Sequence, residues 1–161
     1  MPFVSYFERT LDEKNRVQIP SEFRSRMDPR VHGDSFVLCP GDSSTTLSLY
    51  PVRIWETLIA RLQSREIDDD QAIDFEKWFH AMSYPLDMDA QGRVVLPKGH
   101  LESAKLGKEI TLSGVNNRID IWRTDEFRQF ADPAQREWPN RKRFLRMLGS
   151  GWKDPNPSSS A

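Results

Sequence analysis

Two segments of the chain carry an acid and an arginine at the same spacing. Residues 11–20 and 88–97 each contain Asp, then Arg four positions later, then a β-rich triplet closed by Pro. An Asp side chain accepts a hydrogen bond from the backbone N–H two residues on and so favours a tight turn, while the planar guanidinium of Arg binds carboxylates or phosphates through two parallel bonds. The spacing predicts two equivalent sites, Asp12 with Arg16 and Asp89 with Arg93.

The residue before each arginine suits a left-handed backbone. Gly92 adopts a positive φ without steric cost, and Asn is among the most tolerant of the other residue types, which fits Asn15. We therefore expect a tight turn between two strands in both segments, with Arg16 and Arg93 at equivalent points of two related hairpins. The turn-supporting residues are Asp12, Asn15, Asp89 and Gly92.

Two interpretations of these Asp–Arg pairs are open at this point. In the first, the pairs only lock the turns. In the second, the arginines also contact an external polyanion, because Arg donors match phosphate oxygens or guanine O6 and N7 and a β-hairpin or sheet face fits the major groove of DNA. The candidate nucleic-acid-binding residues are Lys14, Arg16, Gln91 and Arg93.

The match between the two segments continues along the chain. Residues 36–38 correspond to 110–112 in a β-rich pattern, and apolar residues elsewhere alternate with the period of half-buried strands. Repeats this short cannot bury much of their own surface, so the two copies are expected to share one core. Apolar residues at helical spacing over 54–62 and 72–82 predict a helical pair between the copies.

The predicted fold class is α+β, β-rich, with two tandem repeats and short helices. The repeats are expected at 1–62 and 84–131, with a helical connection at 63–83. A C-terminal helix is expected at 132–152, and the Pro- and Ser-rich tail 153–161 is expected to be disordered.

Charge is segregated along a chain whose net charge is only −1. Eight acids and one lysine lie between Glu66 and Asp89, whereas five cations and one acid lie between Arg136 and Arg146. The near-neutral sum argues weakly against a nucleic-acid-binding protein. The distribution instead predicts that the acidic stretch lies away from any bound polyanion.

The basic stretch near the C-terminus reads as an amphipathic helix over 140–148. Phe144, Leu145 and Leu148 would pack inward while the basic residues face outward. Such a helix is interpreted as an ordinary solvated helix, an auxiliary DNA contact or a subunit-interface element.

The remaining residues favour a binding protein over an enzyme. The single cysteine, Cys39, excludes an intrachain disulfide and is expected to pack in a strand, and the three histidines lack partners at metal-ligand spacing. No catalytic serine or cysteine signature and no Gly-rich phosphate loop after a strand is present. No apolar run approaches the roughly 18 residues of a membrane span. The sequence predicts a cytoplasmic protein with no catalytic activity, metal, cofactor, small-molecule substrate or membrane partner.

In combination the motifs resemble the MraZ family of bacterial transcriptional regulators. The resemblance covers residues 1–148 and rests on the early position of the first Asp-x-x-x-Arg copy, its repetition with the β-rich triplet and Pro, and the segment 114–122. Asn15 stands where the family usually has Gly. The family's motif falls on Asp12, Lys14 and Arg16 in the first copy and on Asp89, Gln91, Gly92 and Arg93 in the second.

The resemblance implies a fold and a function. The fold would be a pair of swapped-hairpin, AbrB-like β-barrels within one chain. The protein would form a ring-like homo-oligomer that binds repeated promoter boxes in double-stranded DNA, those of its own division and cell-wall gene cluster, and would be associated with the nucleoid. Two alternatives are an antitoxin-like module that binds DNA through the same barrel, and a structural assembly protein whose Asp–Arg pairs only hold turns.

Overall fold

The helices and strands follow the order expected of a duplicated α+β chain. The computed structural model describes residues 3–64, 70–132, 134 and 139–150. Within these ranges the strands are β1 Tyr6–Thr10, β2 Arg16–Gln18, β3 Ser35–Pro40, β4 Leu47–Pro51, β5 Tyr84–Asp87, β6 Arg93–Val95, β7 Glu109–Val115 and β8 Arg118–Arg123. The helices there are α1 Ser21–Arg24, α2 Val52–Gln63, α3 Asp70–Ala81, α4 Lys98–Ser103, α5 Thr124–Ala131 and α6 Arg141–Ser150. The α+β prediction is confirmed.

The chain divides into two compact units, Met1–Phe127 and Arg128–Ala161. The first contains every strand named above, and the second contains α6. The predicted disordered tail 153–161 lies outside the described residues. None of the helices in the described ranges is long and apolar enough to cross a membrane.

The main sheet is built by exchange of strands between the two repeats. Its order in the described chain is β1-β7-β8-β4-β3-β5, with every neighbouring pair antiparallel. The first strand of each repeat pairs with the third strand of the other, so that β1 lies beside β7 and β5 beside β3. The two halves meet at the centre, where β4 pairs with β8 and Leu49 lies opposite Ile119. The swapped arrangement of the repeats is confirmed.

One detail of the sequence prediction is wrong. In the described chain the strands on either side of each Asp–Arg turn do not pair as a hairpin, since β1 and β5 lie in the six-stranded sheet whereas β2 and β6 form a separate two-stranded sheet. The reason is that each strand buries its apolar side against the shared core by pairing with the other repeat. Pairing within a repeat would leave much of that apolar side in water.

The core is shared by both repeats, as predicted. Phe36 and Leu38 of the first repeat and Leu112 and Ile121 of the second belong to one buried apolar cluster. The opposite side of β3 carries Cys39, which packs beneath α2 and α3 in a smaller cluster. Burial raises the pKa of its thiol to about 11, so this cysteine is a packing residue, as its sequence context predicted.

Candidate nucleic-acid interface

The two Asp–Arg turns have nearly the same geometry. In the first, Oδ1 of Asp12 accepts hydrogen bonds from the backbone N–H groups of Lys14 and Arg16, both at 2.9 Å, and Oδ2 accepts one from Nε of Arg16 at 2.6 Å. The backbone closes the loop, because Asn15 N–H donates to Asp12 O at 3.0 Å. Asn15 has φ 57°, in the left-handed region where Asn is tolerated.

The second turn repeats each of these contacts. Oδ1 of Asp89 accepts from the N–H groups of Gln91 and Arg93 at 2.9 Å, and Oδ2 accepts from Nε of Arg93 at 2.7 Å. Gly92 N–H donates to Asp89 O at 2.9 Å, with φ 74° at Gly92. Each carboxylate thus accepts three hydrogen bonds within its own loop, which orients the arginine rigidly.

These bonds also stabilise the ionised carboxylates. The backbone N–H of Arg16, and then its guanidinium, hold the pKa of Asp12 below its usual value. The backbone N–H and guanidinium of Arg93 lower the pKa of Asp89 in the same way. Hydrogen bonds that favour the charged form have this effect, so both acids carry their charge at neutral pH while they hold the arginines.

The arginines emerge together on one small sheet, which we call the ribbon, formed by residues 16–18 of β2 and 93–95 of β6. Arg16 lies opposite Val95, and Gln18 lies opposite Arg93. The central residues, Val17 and Val94, are buried beneath them. Because side chains alternate across a strand, the ribbon's outer face consists of Arg16, Gln18, Arg93 and Val95.

The ribbon extends by one backbone hydrogen bond at each end. Ile19 N–H donates to Gly92 O, and Leu96 N–H donates to Asn15 O, both at 2.9 Å. From strand geometry, the Cα atoms of the diagonal pair Arg16 and Arg93 are roughly 8 Å apart. The two turns therefore flank one ribbon.

Both arginines keep donors available at the surface. Their side chains are 32% and 30% exposed. Within the described chain each side chain bonds only through Nε, which leaves the terminal nitrogens of Arg16 and Arg93 available. Lys14 and Gln91 lie exposed at the tips of the turns. The structure thus brings the four candidate binding residues onto one surface.

The structure adds three residues to this surface that sequence reasoning missed. Gln18 is on the outer face, and its Nε2 donates to Gln91 O at 2.9 Å, linking the first strand to the second turn. Val95 is an exposed apolar side chain between polar neighbours, and Arg24 lies against Gly92. Gln18 and Val95 could have been predicted, because they alternate with Val17 and Val94, which are buried. No local pattern connects Arg24 with a turn 68 residues away in sequence.

The rings of His32, His80 and His100 each bond to a backbone group. Nδ1 of His32 accepts the backbone N–H of Asp28, and Nε2 of His100 bonds to Met82 O. Within the described ranges no group of three or more His, Cys, Asp or Glu side chains is placed to hold a metal ion. Arg16 and Arg93, each paired with the Asp of its own turn, converge on the ribbon.

The chain is thus a duplicated swapped-hairpin scaffold that carries paired arginines on a two-stranded ribbon. Comparison with known sequences names the family. The family model described as "MraZ protein, putative antitoxin-like" matches residues 80–149. The chain belongs to the MraZ family.

Full-length relatives support this assignment. The chain is 33% identical over 132 residues to the transcriptional regulator MraZ of Clostridium acetobutylicum, covering 82% of this chain and 89% of that protein. It is 34% identical over 128 residues to the one from Lactiplantibacillus plantarum, covering 80% and 86%. Over 147 residues it is 30% identical to that of Halothermothrix orenii, covering 91% and 99%.

Proposed function

We propose that this protein is a transcriptional regulator that binds double-stranded promoter DNA through the ribbon. It acts as a ring-like homo-oligomer on repeated boxes, those upstream of its own division and cell-wall gene cluster, in the cytoplasm at the nucleoid. The naming of its relatives as transcriptional regulators supports the proposal. The observation that carries it is the convergence of Arg16 and Arg93 on one exposed face.

The dimensions and donors of the ribbon suit the major groove. That groove is about 12 Å wide and admits a two-stranded ribbon. The terminal nitrogens of Arg16 and Arg93 point donors at guanine O6 and N7 or at phosphates, while Lys14 adds a mobile cation at the edge. A ring presents many such ribbons, which compensates for the modest charge of each copy through effective concentration.

The test is a titration against DNA from upstream of the protein's own coding region, beside scrambled DNA, at several salt concentrations. Arg16→Ala and Arg93→Ala are expected to weaken binding to the upstream DNA. Loss of a base contact should reduce the preference for the upstream sequence by about 1–3 kcal/mol. Loss of a phosphate contact should instead reduce the slope of the log binding constant against log salt concentration by about 1. Arg16→Lys keeps the positive charge but loses the planar pair of donors, so it separates a phosphate contact from a base contact.

Arg123→Ala is the matched control. Arg123 is 35% exposed and bonds to Asp125 through Nε and Nη2, as an Asp–Arg pair away from the ribbon. Partly exposed pairs of this kind contribute about 0–1 kcal/mol to stability, so all three variants should melt within a few degrees of wild type. If the ribbon variants bind DNA as wild type does, or lose affinity only in proportion to lost stability, the arginines merely lock turns.

An antitoxin-like module is the second candidate, favoured by the description of the matching family model. Such a protein would be encoded beside a small toxin and would co-purify with it. Expression of the chain together with its neighbouring genes tests this directly. A stoichiometric complex with a small neighbouring gene product would support the antitoxin, whereas purification of the chain alone would favour the regulator.

A further inference from the structure

Among the described residues, one exposed apolar surface is a groove beside α3. The groove encloses about 440 Å³ and includes Pro40, Leu47, Trp78, Met82 and Ala104 in its lining. Phe75, Trp78 and Met82 follow one another at helical spacing along α3 and just beyond it, and all are more than 40% exposed. Large apolar side chains grouped in this way mark an interaction site.

The second exposed surface is one side of α6. Phe144, Leu145 and Leu148 fall on the same face of this ten-residue helix and are 53%, 58% and 76% exposed. The sequence prediction that these three side chains pack inward is therefore wrong. An amphipathic pattern defines which side of a helix is apolar, but it does not say which molecule covers that side.

The two surfaces carry opposite charge. Within the described residues α6 holds four cations and no acid. By contrast, α3 holds Asp70, Asp74 and Glu76 against Lys77, and Asp42 belongs to the groove lining. Asp74 lies one turn before Trp78 on α3, beside the apolar stripe.

We propose that α6 of one copy of this chain docks into the groove beside α3 of a second copy. The inference rests on the homo-oligomer in the proposed function and names the contact that builds it. Phe144, Leu145 and Leu148 would meet Trp78 and Met82, with the cations of α6 near Asp74. The contact joins two different surfaces, so it is heterologous, the type of interface that closes into a ring when the rotation permits.

Charge explains why the occupant is another copy joined head to tail. The two helices occupy corresponding places in the duplication, since α3 follows α2 and α6 follows α5. Two α3 surfaces facing each other would bring acids together, and two α6 surfaces would bring cations together, so each like pairing is repulsive. Pairing of an α6 surface with an α3 surface joins two apolar stripes whose flanking charges are opposite. Each copy carries one α3 surface and one α6 surface, so the two surfaces are present in equal number.

The first experiment measures assembly by native mass spectrometry and light scattering without DNA. Leu148→Asp and, separately, Trp78→Asp place an acid at the centre of the contact, and either is expected to raise the protein concentration needed for half-assembly by roughly tenfold or more. Val31→Asp is the matched control, because Val31 is 54% exposed and lies outside both surfaces. Unchanged assembly in both Leu148→Asp and Trp78→Asp overturns the inference.

A cross-linking experiment tests the contact without relying on a disruptive change. Trp78→Cys and Leu148→Cys variants, prepared separately with tags of different mass, are mixed and mildly oxidised. The native Cys39 is buried and does not interfere. A disulfide-linked dimer containing one of each variant is expected, and the double variant Trp78→Cys/Leu148→Cys should give linked multimers. Links formed only within single chains overturn the proposal.

The outcomes separate this contact from the proposed function. If wild type assembles while Leu148→Asp and Trp78→Asp assemble equally well, the docking contact is wrong and the ring is built otherwise. If wild type is a monomer at every concentration, both the contact and the homo-oligomer are wrong. DNA affinity is measured separately on the ribbon variants, so its loss or persistence does not decide the question of assembly.

Discussion

Replacing Gly92 by Ala tests whether the second turn and Arg24 form one structural unit. A Cβ atom at position 92 would lie 2.6 Å from Nε and 2.7 Å from Cδ and Cζ of Arg24. Nε of Arg24 donates to Ile19 O at 3.0 Å, and Ile19 N–H donates to Gly92 O. The added methyl must therefore displace a side chain that holds the end of the ribbon.

The expected cost has two parts. Gly92 has φ 74°, and a non-glycine residue in the left-handed region costs about 1 kcal/mol. Displacing Arg24 loses a hydrogen bond with a net contribution of about 1 kcal/mol. Gly92→Ala should therefore lower the free energy of unfolding by about 2 kcal/mol, which corresponds to a fall of roughly 4–8 °C in Tm for a chain of this size.

A double-mutant cycle measured by urea unfolding separates the two parts. Arg24→Ala alone should cost about 1 kcal/mol, and Gly92→Ala in that background should cost only the backbone part, again about 1 kcal/mol. The interaction energy is then about 1 kcal/mol, with the double variant more stable than the sum of the single losses implies. Strict additivity would refute the contact between Arg24 and Gly92.

Gly99→Ala provides the control of opposite sign. Gly99 lies in α4, its added Cβ would meet nothing within 4 Å, and its φ is not in the left-handed region. Ala is favoured over Gly inside a helix by about 0.5–1 kcal/mol, so Gly99→Ala should stabilise the fold. Equal destabilisation by both substitutions would mean that loss of Gly itself, rather than the environment of Gly92, determines the result.

Two further predictions concern the turns. Asn15→Val should lower the free energy of unfolding by about 1–2 kcal/mol, because a β-branched residue is strained at φ 57°, while Asn15→Gly should cause no loss. Urea unfolding of the two variants checks this. Equal stability of the two variants would refute the turn assignment. The pKa values of Asp12 and Asp89 are lowered in the fold by backbone and guanidinium bonds, so their stabilising contribution is present above about pH 4 and is lost as pH falls through the folded values. As pH decreases, the free energy of unfolding should therefore fall less steeply for Asp12→Asn/Asp89→Asn than for wild type. Identical pH dependence would contradict the stabilising role of the two carboxylates.

The turns were predictable because their determinants are local. Asp12 and Arg16 are four residues apart, and the preference of Asn15 and Gly92 for a positive φ is intrinsic to those residue types. The same logic identified the alternation that buries Val17. The repeat itself was visible as sequence identity, which is why the shared core was also predictable.

The pairing of the strands could not be derived from local pattern. A strand of three residues, such as β2, has the same alternation whether it pairs with β1 or with β6. The choice depends on which arrangement buries the apolar sides of both repeats at once. For the same reason the sequence did not reveal Arg24 against Gly92, or the exposure of Phe144 in α6.

Duplication within one chain gives this surface a property that two identical chains would lack. A ribbon made from identical copies is two-fold symmetric and fits a palindromic site, since protein symmetry mirrors site symmetry. Here Arg16 and Arg93 keep the symmetry, but Gln18 and Val95 occupy equivalent places with different chemistry. An amide reads base edges and a methyl-bearing side chain contacts thymine. The proposed interface therefore suits an asymmetric box repeated in one direction, and head-to-tail copies would present their ribbons in that same repeating order.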